Sequence, residues 1–420
     1  MRKTLALGLL SFGIALFSPI WSVFAQVPSS LPIFVPSPNE PAPIQQPSQP
    51  VNNLSPLVPV DVSTNCVNGN QCLGLDAQIW GEDGRPGDWR ALLTSIDNSL
   101  RYLNTNKANE VYRNYPIKEI TLDRVRRSLV RFRQLVVSSK SPADLQASVN
   151  REFVFYQSVG NDGKGTVKFT AYYEPVYSAS RVPTSTYKYP IYKLPPNFKQ
   201  WAKPHPKRVQ LEGKNGLLGN KSRLRGQELF WFRDRLDAYL IHIQGSARLT
   251  LTDGTTTSVG YAGATDYPWT SIGRELAKDG KLPLSGLTMP VMIQYFQQNP
   301  REMNNYLPRW ERFVFFKETR GAPATGSLRL PVTAERSIAT DKSIMPPGAL
   351  ALINASFPYP DAGGRLVYRN VNRYVLDQDT GSAIKGPGRV DYFIGTGQQA
   401  GDRAGVTGGN GSLYYLLLRE

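Results

Sequence analysis

The residues best suited to chemistry lie near the C-terminal end. Between Leu376 and Asp402, the carboxylates Asp377, Asp379, Asp391 and Asp402 alternate with glycines and with two cations, Lys385 and Arg389. Asp391 follows Val390 and precedes Tyr392 and Phe393, a strand-like pattern in which alternate side chains face a partly apolar place. A carboxylic acid there tends to hold its proton, as general-acid catalysis near neutral pH requires. From the residues alone, an aspartate capping a turn or pairing with Lys385 or Arg389 is the commoner reading, because perturbed acids are a minority. The surrounding glycines permit positive φ and close approach of another chain. Metal chemistry is not expected: the only histidines, His205 and His242, are far in sequence from the only cysteines, Cys66 and Cys72. No cofactor is implied.

The rest of the chain must position these groups. Its 420 residues carry 49 Lys+Arg against 33 Asp+Glu, a net charge of +16 that favours nucleic acid, anionic lipid or a carboxylate-bearing polymer as partner. Met1-Arg2-Lys3 followed by an apolar run to Ala25 reads as an export signal, 1–25, with a retained membrane anchor as the alternative. Either reading removes the chain from the cytoplasm and argues against a nucleic-acid role. No cysteine directly follows the run, so a lipoprotein anchor is not supported. Ten of the 35 residues from Gln26 to Val60 are proline, which predicts an extended, solvated tether, drawn here as 26–84. Within it, Cys66 and Cys72 read as a small-loop disulfide.

Helices are expected first. Trp89, Leu92, Leu93, Ile96, Leu100 and Leu103 recur at helical spacing, and Thr121 and Ser141-Pro142 start two further helices. Arg124, Arg126, Arg127, Arg131 and Arg133 read as a solvated face. After Phe153 the pattern turns to short strands, including 167–174, 189–194, 237–243, 313–317, 348–353, 366–376, 390–394 and 412–418. Asp253-Gly254 is a hairpin turn, and two helices interrupt at 269–278 and 288–298. The class expected is mainly β and barrel-like, behind a short helical region.

The run Asp379-Thr-Gly to Asp391-Tyr-Phe, with Gly395-Thr-Gly397 and Gln399-Ala-Gly401, resembles the C-terminal three-aspartate (3D) segment of the membrane-bound lytic murein transglycosylase A (MltA) family. Phe169-Thr-Ala-Tyr-Tyr-Glu-Pro175, Gln244-Gly245-Ser246, Gly260-Tyr-Ala-Gly263, Ser271-Ile-Gly273, Asn299-Pro300 and Phe313-Val-Phe-Phe316 are similar to that family's motifs in the same order. The sequence departs at Ala171, where glycine is usual, at Ala264-Thr-Asp266, where an Asn-Gly pair is common, and in lacking the lipoprotein cysteine.

The resemblance implies a double-psi β-barrel domain (85–175 and 313–420, with the 3D segment 376–420) interrupted by a second, smaller β-barrel domain (176–312), with a glycan in the groove between. It implies a lyase acting on peptidoglycan glycan strands, without cofactor or metal, in which Asp391 is the catalytic acid and Asp379 its supporting partner. Substrate contacts would come from Thr170, Tyr172, Tyr173, Gln244, Gly245, Ser246, Tyr261, Lys385, Arg389 and Tyr392. The expected protein is a monomer exported to the periplasm or cell envelope. It would work beside other cell-wall enzymes, without nucleic acid, and would touch membrane only through an uncleaved N-terminal segment. Two rivals are an inverting glycoside hydrolase using Asp379 with Asp391, and a non-catalytic wall-binding protein.

Overall fold

The computed structural model describes residues 55–61, 66–67, 71–82 and 84–420; the expected export signal and most of the tether lie outside them. Cys66 and Cys72 are register partners in a short antiparallel ladder, while their side chains, and with them the expected disulfide, lie outside the described residues. Part of the expected tether is built into the fold. Strand β1 (Leu57–Val60) pairs antiparallel with β2 (Phe153–Ser158), and Leu73, Asp76, Gln78 and Ile79 are buried. Proline content marks the segment as extended, and an extended segment can also be the edge of a sheet.

Four helices follow: α1 (Trp89–Leu103), α2 (Asn106–Arg113), α3 (Leu122–Ser138) and α4 (Pro142–Glu152). Thr105, Thr121 and Ser141 each accept a backbone N–H in the first turn, contacts worth about 1 kcal/mol apiece. Four of the α3 arginines lie on the solvated face expected of them, tied into ion pairs. Arg126 and Arg127 bind Asp123, Arg131 binds Glu152 and Arg133 binds Asp97. Arg124 is buried and donates to the carbonyls of Leu418 and Glu119.

The chain then enters β3 (Val167–Glu174) and leaves it for a second sheet: β4 (Val176–Ser180), β5 (Tyr189–Tyr192), β6 (Glu228–Phe232), β7 (Ser246–Leu251), β8 (Thr256–Ala264) and β9 (Val314–Glu318). Their order is β9-β8-β7-β4-β6-β5, and a single bridge between Lys193 and Phe316 brings the two edges together. Residues 314–318, expected in the other barrel, belong here because β9 pairs with β8 along its length. The expected strand at 237–243 is a helix, Arg235–Gln244. Ala238 to His242 are all buried, so no face is polar and neither period shows; Asp234 caps its start and Gly245, at φ 81°, ends it.

The chain returns through β10 (Ser337–Ala339), β11 (Leu350–Pro360), β12 (Leu366–Asp379), β13 (Arg389–Thr396), the helix Gln398–Val406 and β14 (Gly408–Leu418). With β3 these form a closed ring, β14-β11-β12-β10-β13-β3, shut by the pairing of β14 with β3. Two pairs in the ring are parallel, β10–β12 and β13–β3, as expected of a double-psi barrel. Phe169, Ile338, Leu352, Leu376, Val390, Tyr392 and Tyr415 belong to its apolar core. Beneath it, Asp76 joins the buried guanidinium groups of Arg336 and Arg373, tying the residues before α1 to the barrel. Among the described residues no helix is long and apolar enough to cross a membrane.

Candidate active site

Four neighbouring strands contribute consecutive register partners: Thr170 on β3, Asp391 on β13, Ala339 on β10 and Asp379 on β12. Partners across a sheet share a face, so two carboxylates lie in one row with only a methyl group between. Val390 and Tyr392 take the opposite face, into the apolar core.

The Thr170 hydroxyl donates to Asp391 Oδ1 at 2.6 Å; among the described residues Oδ2 receives no hydrogen bond. Burial raises the Asp391 pKa, Arg389 and Thr170 pull it back, and the charge of Asp379 raises it further, leaving it above the ordinary carboxylate value. Asp379 is held differently. Tyr172 donates its hydroxyl to Oδ2 at 2.9 Å, and the N–H groups of Ser327 and Thr380 both reach Oδ1 at 2.8 Å. A Cβ at Gly326 would fall 2.6 Å from the carbonyl oxygen of Gln378, so glycine lets the loop carrying Ser327 come this close. Burial raises the Asp379 pKa too, while its three donors oppose that.

Sequence reasoning did not assign a role to Asp377, two residues back on the same strand and across a register shift. It is fully buried, binds the Lys342 ammonium, and accepts from Thr340 and Tyr415 at 2.7 Å each. Between the two aspartates, Gln378 points the other way, donating to the carbonyl of Ser95 at 2.7 Å and accepting from Ser337 at 2.6 Å. Helix α1 thus fixes the strand at the register shift between Asp377 and Asp379. The polar spacing of Ser95 and Ser99 along α1 was the signal for this anchor.

Residues 168–317 match the family description "MltA specific insert domain", and residues 336–417 match "3D domain". Membrane-bound lytic murein transglycosylase A of Escherichia coli K12 is 30% identical over 263 residues, covering 62% of this chain and 68% of that one. A homolog from Buchnera aphidicola is 31% identical over 266 residues, covering 63% and 69%. The chain belongs to the membrane-bound lytic murein transglycosylase A family. Two solved structures agree. A membrane-bound lytic murein transglycosylase from Agrobacterium tumefaciens gives a TM-score of 0.63 at 27% identity, covering 79% of this chain and 93% of that one. E. coli MltA with bound chitohexaose gives 0.64 at 25%, covering 87% and 95%.

The other residues named from the MltA resemblance divide into groups. Tyr172 lies against Phe393, with ring centroids 5.1 Å apart, beside Asp379. The N–H of Tyr173 donates to Gln244 Oε1 at 3.1 Å, so β3 and the Gln244-Gly245-Ser246 turn touch directly. A Cβ at Gly401 would lie 2.7 Å from the Tyr173 ring, so a glycine there brings the helix Gln398–Val406 hard against β3. Close by, the buried Glu174 accepts from Arg248 at 2.9 Å and from Thr396 at 2.8 Å, where the chain passes from one sheet to the other. Tyr261 is half exposed on β8. Lys385 is exposed and lies 3.8 Å from Asp341. Tyr392 corrects the expectation of a sugar platform. Its ring is fully buried against Phe357, and its hydroxyl donates to the Glu335 carbonyl at 2.7 Å.

Proposed function

We infer that this chain is a peptidoglycan lytic transglycosylase in which Asp391 serves first as general acid and then as general base. The protonated carboxyl gives its proton to the oxygen bridging N-acetylmuramic acid and N-acetylglucosamine. The C1–O bond breaks with its electron pair going to that oxygen, and an oxocarbenium-like state develops at C1. The muramyl C6 oxygen then attacks C1, its proton passes to the Asp391 carboxylate, and a 1,6-anhydro ring is left. Acid and base are one residue, so no positioned water is required.

The observation that carries this assignment is the contrast in hydrogen bonding within one row. Burial raises both acids, but three donors oppose the rise at Asp379 and one at Asp391, where the charge of Asp379 adds to it; Asp391 alone retains an uncommitted oxygen. An inverting hydrolase would need the second carboxylate free to activate water. Asp379 has its oxygens engaged instead, which supports the single-acid reading. General acid–base catalysis supplies about 10²–10⁴-fold, and contacts along the glycan must supply the remainder.

In this reading the glycan lies between the barrel and the inserted residues 176–312. Tyr172, Tyr173, Gln244, Ser246 and Tyr261 contribute contacts, and Gly245 keeps the turn open. The enzyme is exported, acts in the cell envelope on peptidoglycan strands as a monomer, and works beside other cell-wall enzymes. Zymography on purified sacculi tests the assignment: Asp391→Asn should leave no clearing, and a variant as active as the parent would remove Asp391 from its role.

A further inference from the structure

Two residues before the acid, a second cross-strand pair consists of two cations. Arg389 on β13 is the register partner of Lys168 on β3. The period of two puts both on the face of Asp391 and Thr170, about 7 Å along the strands. Like charges directly opposite each other destabilise a sheet, and burial of unpaired charge costs more. Here the cost is not offset within the protein. Arg389 Nη1 is buried without a hydrogen-bond partner, and the side chains of Lys168 and Arg274 have no ion pair among the described residues. Arg274, exposed on the helix Ile272–Lys278, is near enough for its charge to act on both Lys168 and Arg389. Asp391 is the carboxylate that acts on Arg389, and it is the proposed acid. Elsewhere the molecule pairs its buried arginines: Arg336 and Arg373 share Asp76, and Arg403 holds Glu335.

We propose that Lys168, Arg274 and Arg389 form a carboxylate-binding subsite for the acidic substituent of the muramyl residue at the cleaved bond. This rests on the peptidoglycan reading above and names what that site selects. The missing counter-ion arrives with the substrate. It is either the lactyl carboxylate of peptide-free strands or a carboxylate of the stem peptide. Guanidinium and ammonium groups drawn from the barrel strands and from the helix Ile272–Lys278 would then discriminate acidic glycans from neutral ones of the same backbone.

Binding tests this independently of turnover. The full chain and the variants Lys168→Gln, Arg274→Gln and the pair together are titrated by calorimetry with three probes: peptide-free glycan strands, peptide-bearing strands, and neutral chitohexaose. The double variant should lose about tenfold in affinity for an acidic strand, as expected for charge-assisted contacts. Its affinity for chitohexaose should stay within about twofold. Its melting temperature should hold or rise, since repulsion is relieved. Loss confined to peptide-free strands identifies the lactyl group, and loss confined to peptide-bearing strands identifies the stem peptide. Unchanged affinity for both acidic strands, or an equal loss on chitohexaose, overturns the subsite. Failure of the parent to release anhydro sugars would instead overturn the reading of the reaction.

Discussion

Asp377 and Asp391 lie on neighbouring parts of one barrel, the first fully buried and the second partly, and they are built for opposite ends. Asp377 is saturated: an ammonium and two hydroxyls meet its oxygens, and it holds β12 to Lys342 and β14. Asp391 has one donor, Thr170, and a neighbouring carboxylate. Burial raises the pKa of Asp377 as well, against the pull of Lys342, Thr340 and Tyr415, and removing this saturated carboxylate strands those partners. An under-saturated one is held at an energetic cost and can exchange a proton. The comparison shows how one sheet supplies both, by changing the number of donors together with the degree of burial.

The largest expected effect is on the reaction. Asp391→Asn should lower the rate of glycan release from sacculi by about 10²–10⁴-fold. The same variant should melt higher than the parent at neutral pH. A carboxyl whose folded pKa is raised favours the folded state only while protonated, so its contribution is lost as pH rises through that pKa. The neutral amide removes that loss, and the gain should shrink toward acid pH. Scanning calorimetry across pH reads this, and a variant less stable at neutral pH would contradict it.

Asp377→Asn should do the reverse to stability. It leaves Lys342 with no carboxylate partner in a buried setting, a loss of about 3 kcal/mol measurable by urea unfolding. A change near zero would mean the two aspartates are not distinguished as described. Gln378→Ala strips the partners from Ser95, Ser99 and Ser337 and should cost about 2 kcal/mol. Thr170→Val should be smallest. Losing the donor to the anion raises the Asp391 pKa further, so the alkaline limb of the pH–rate profile should move upward by about one unit. A shift toward lower pH would refute the role given to Thr170.

Much of this was legible beforehand for identifiable reasons. Thr121 and Ser141 announced their helices because a cap is a local interaction, and 167–174 and 390–394 read as strands because their apolar residues alternate. The helix Arg235–Gln244 was hidden by being buried on nearly all sides, although Asp234 and Gly245 marked its ends. Strand β10, three residues long, is too short to carry a period, yet Ala339 on it separates the two carboxylates of the site. Tyr392 was expected among the substrate contacts; strand alternation sends it inward instead. Long-range facts stayed out of reach: that Arg336 and Arg373 converge on Asp76, that Gln378 docks on α1, and that Lys168 lies opposite Arg389.

The central claim is that one carboxyl, without a water nucleophile, opens the glycosidic bond. Purified sacculi digested in water enriched in heavy oxygen, with the released muropeptides weighed by mass spectrometry, test it most directly. The account predicts 1,6-anhydromuramyl ends carrying no solvent oxygen, and reducing ends labelled with heavy oxygen would contradict it.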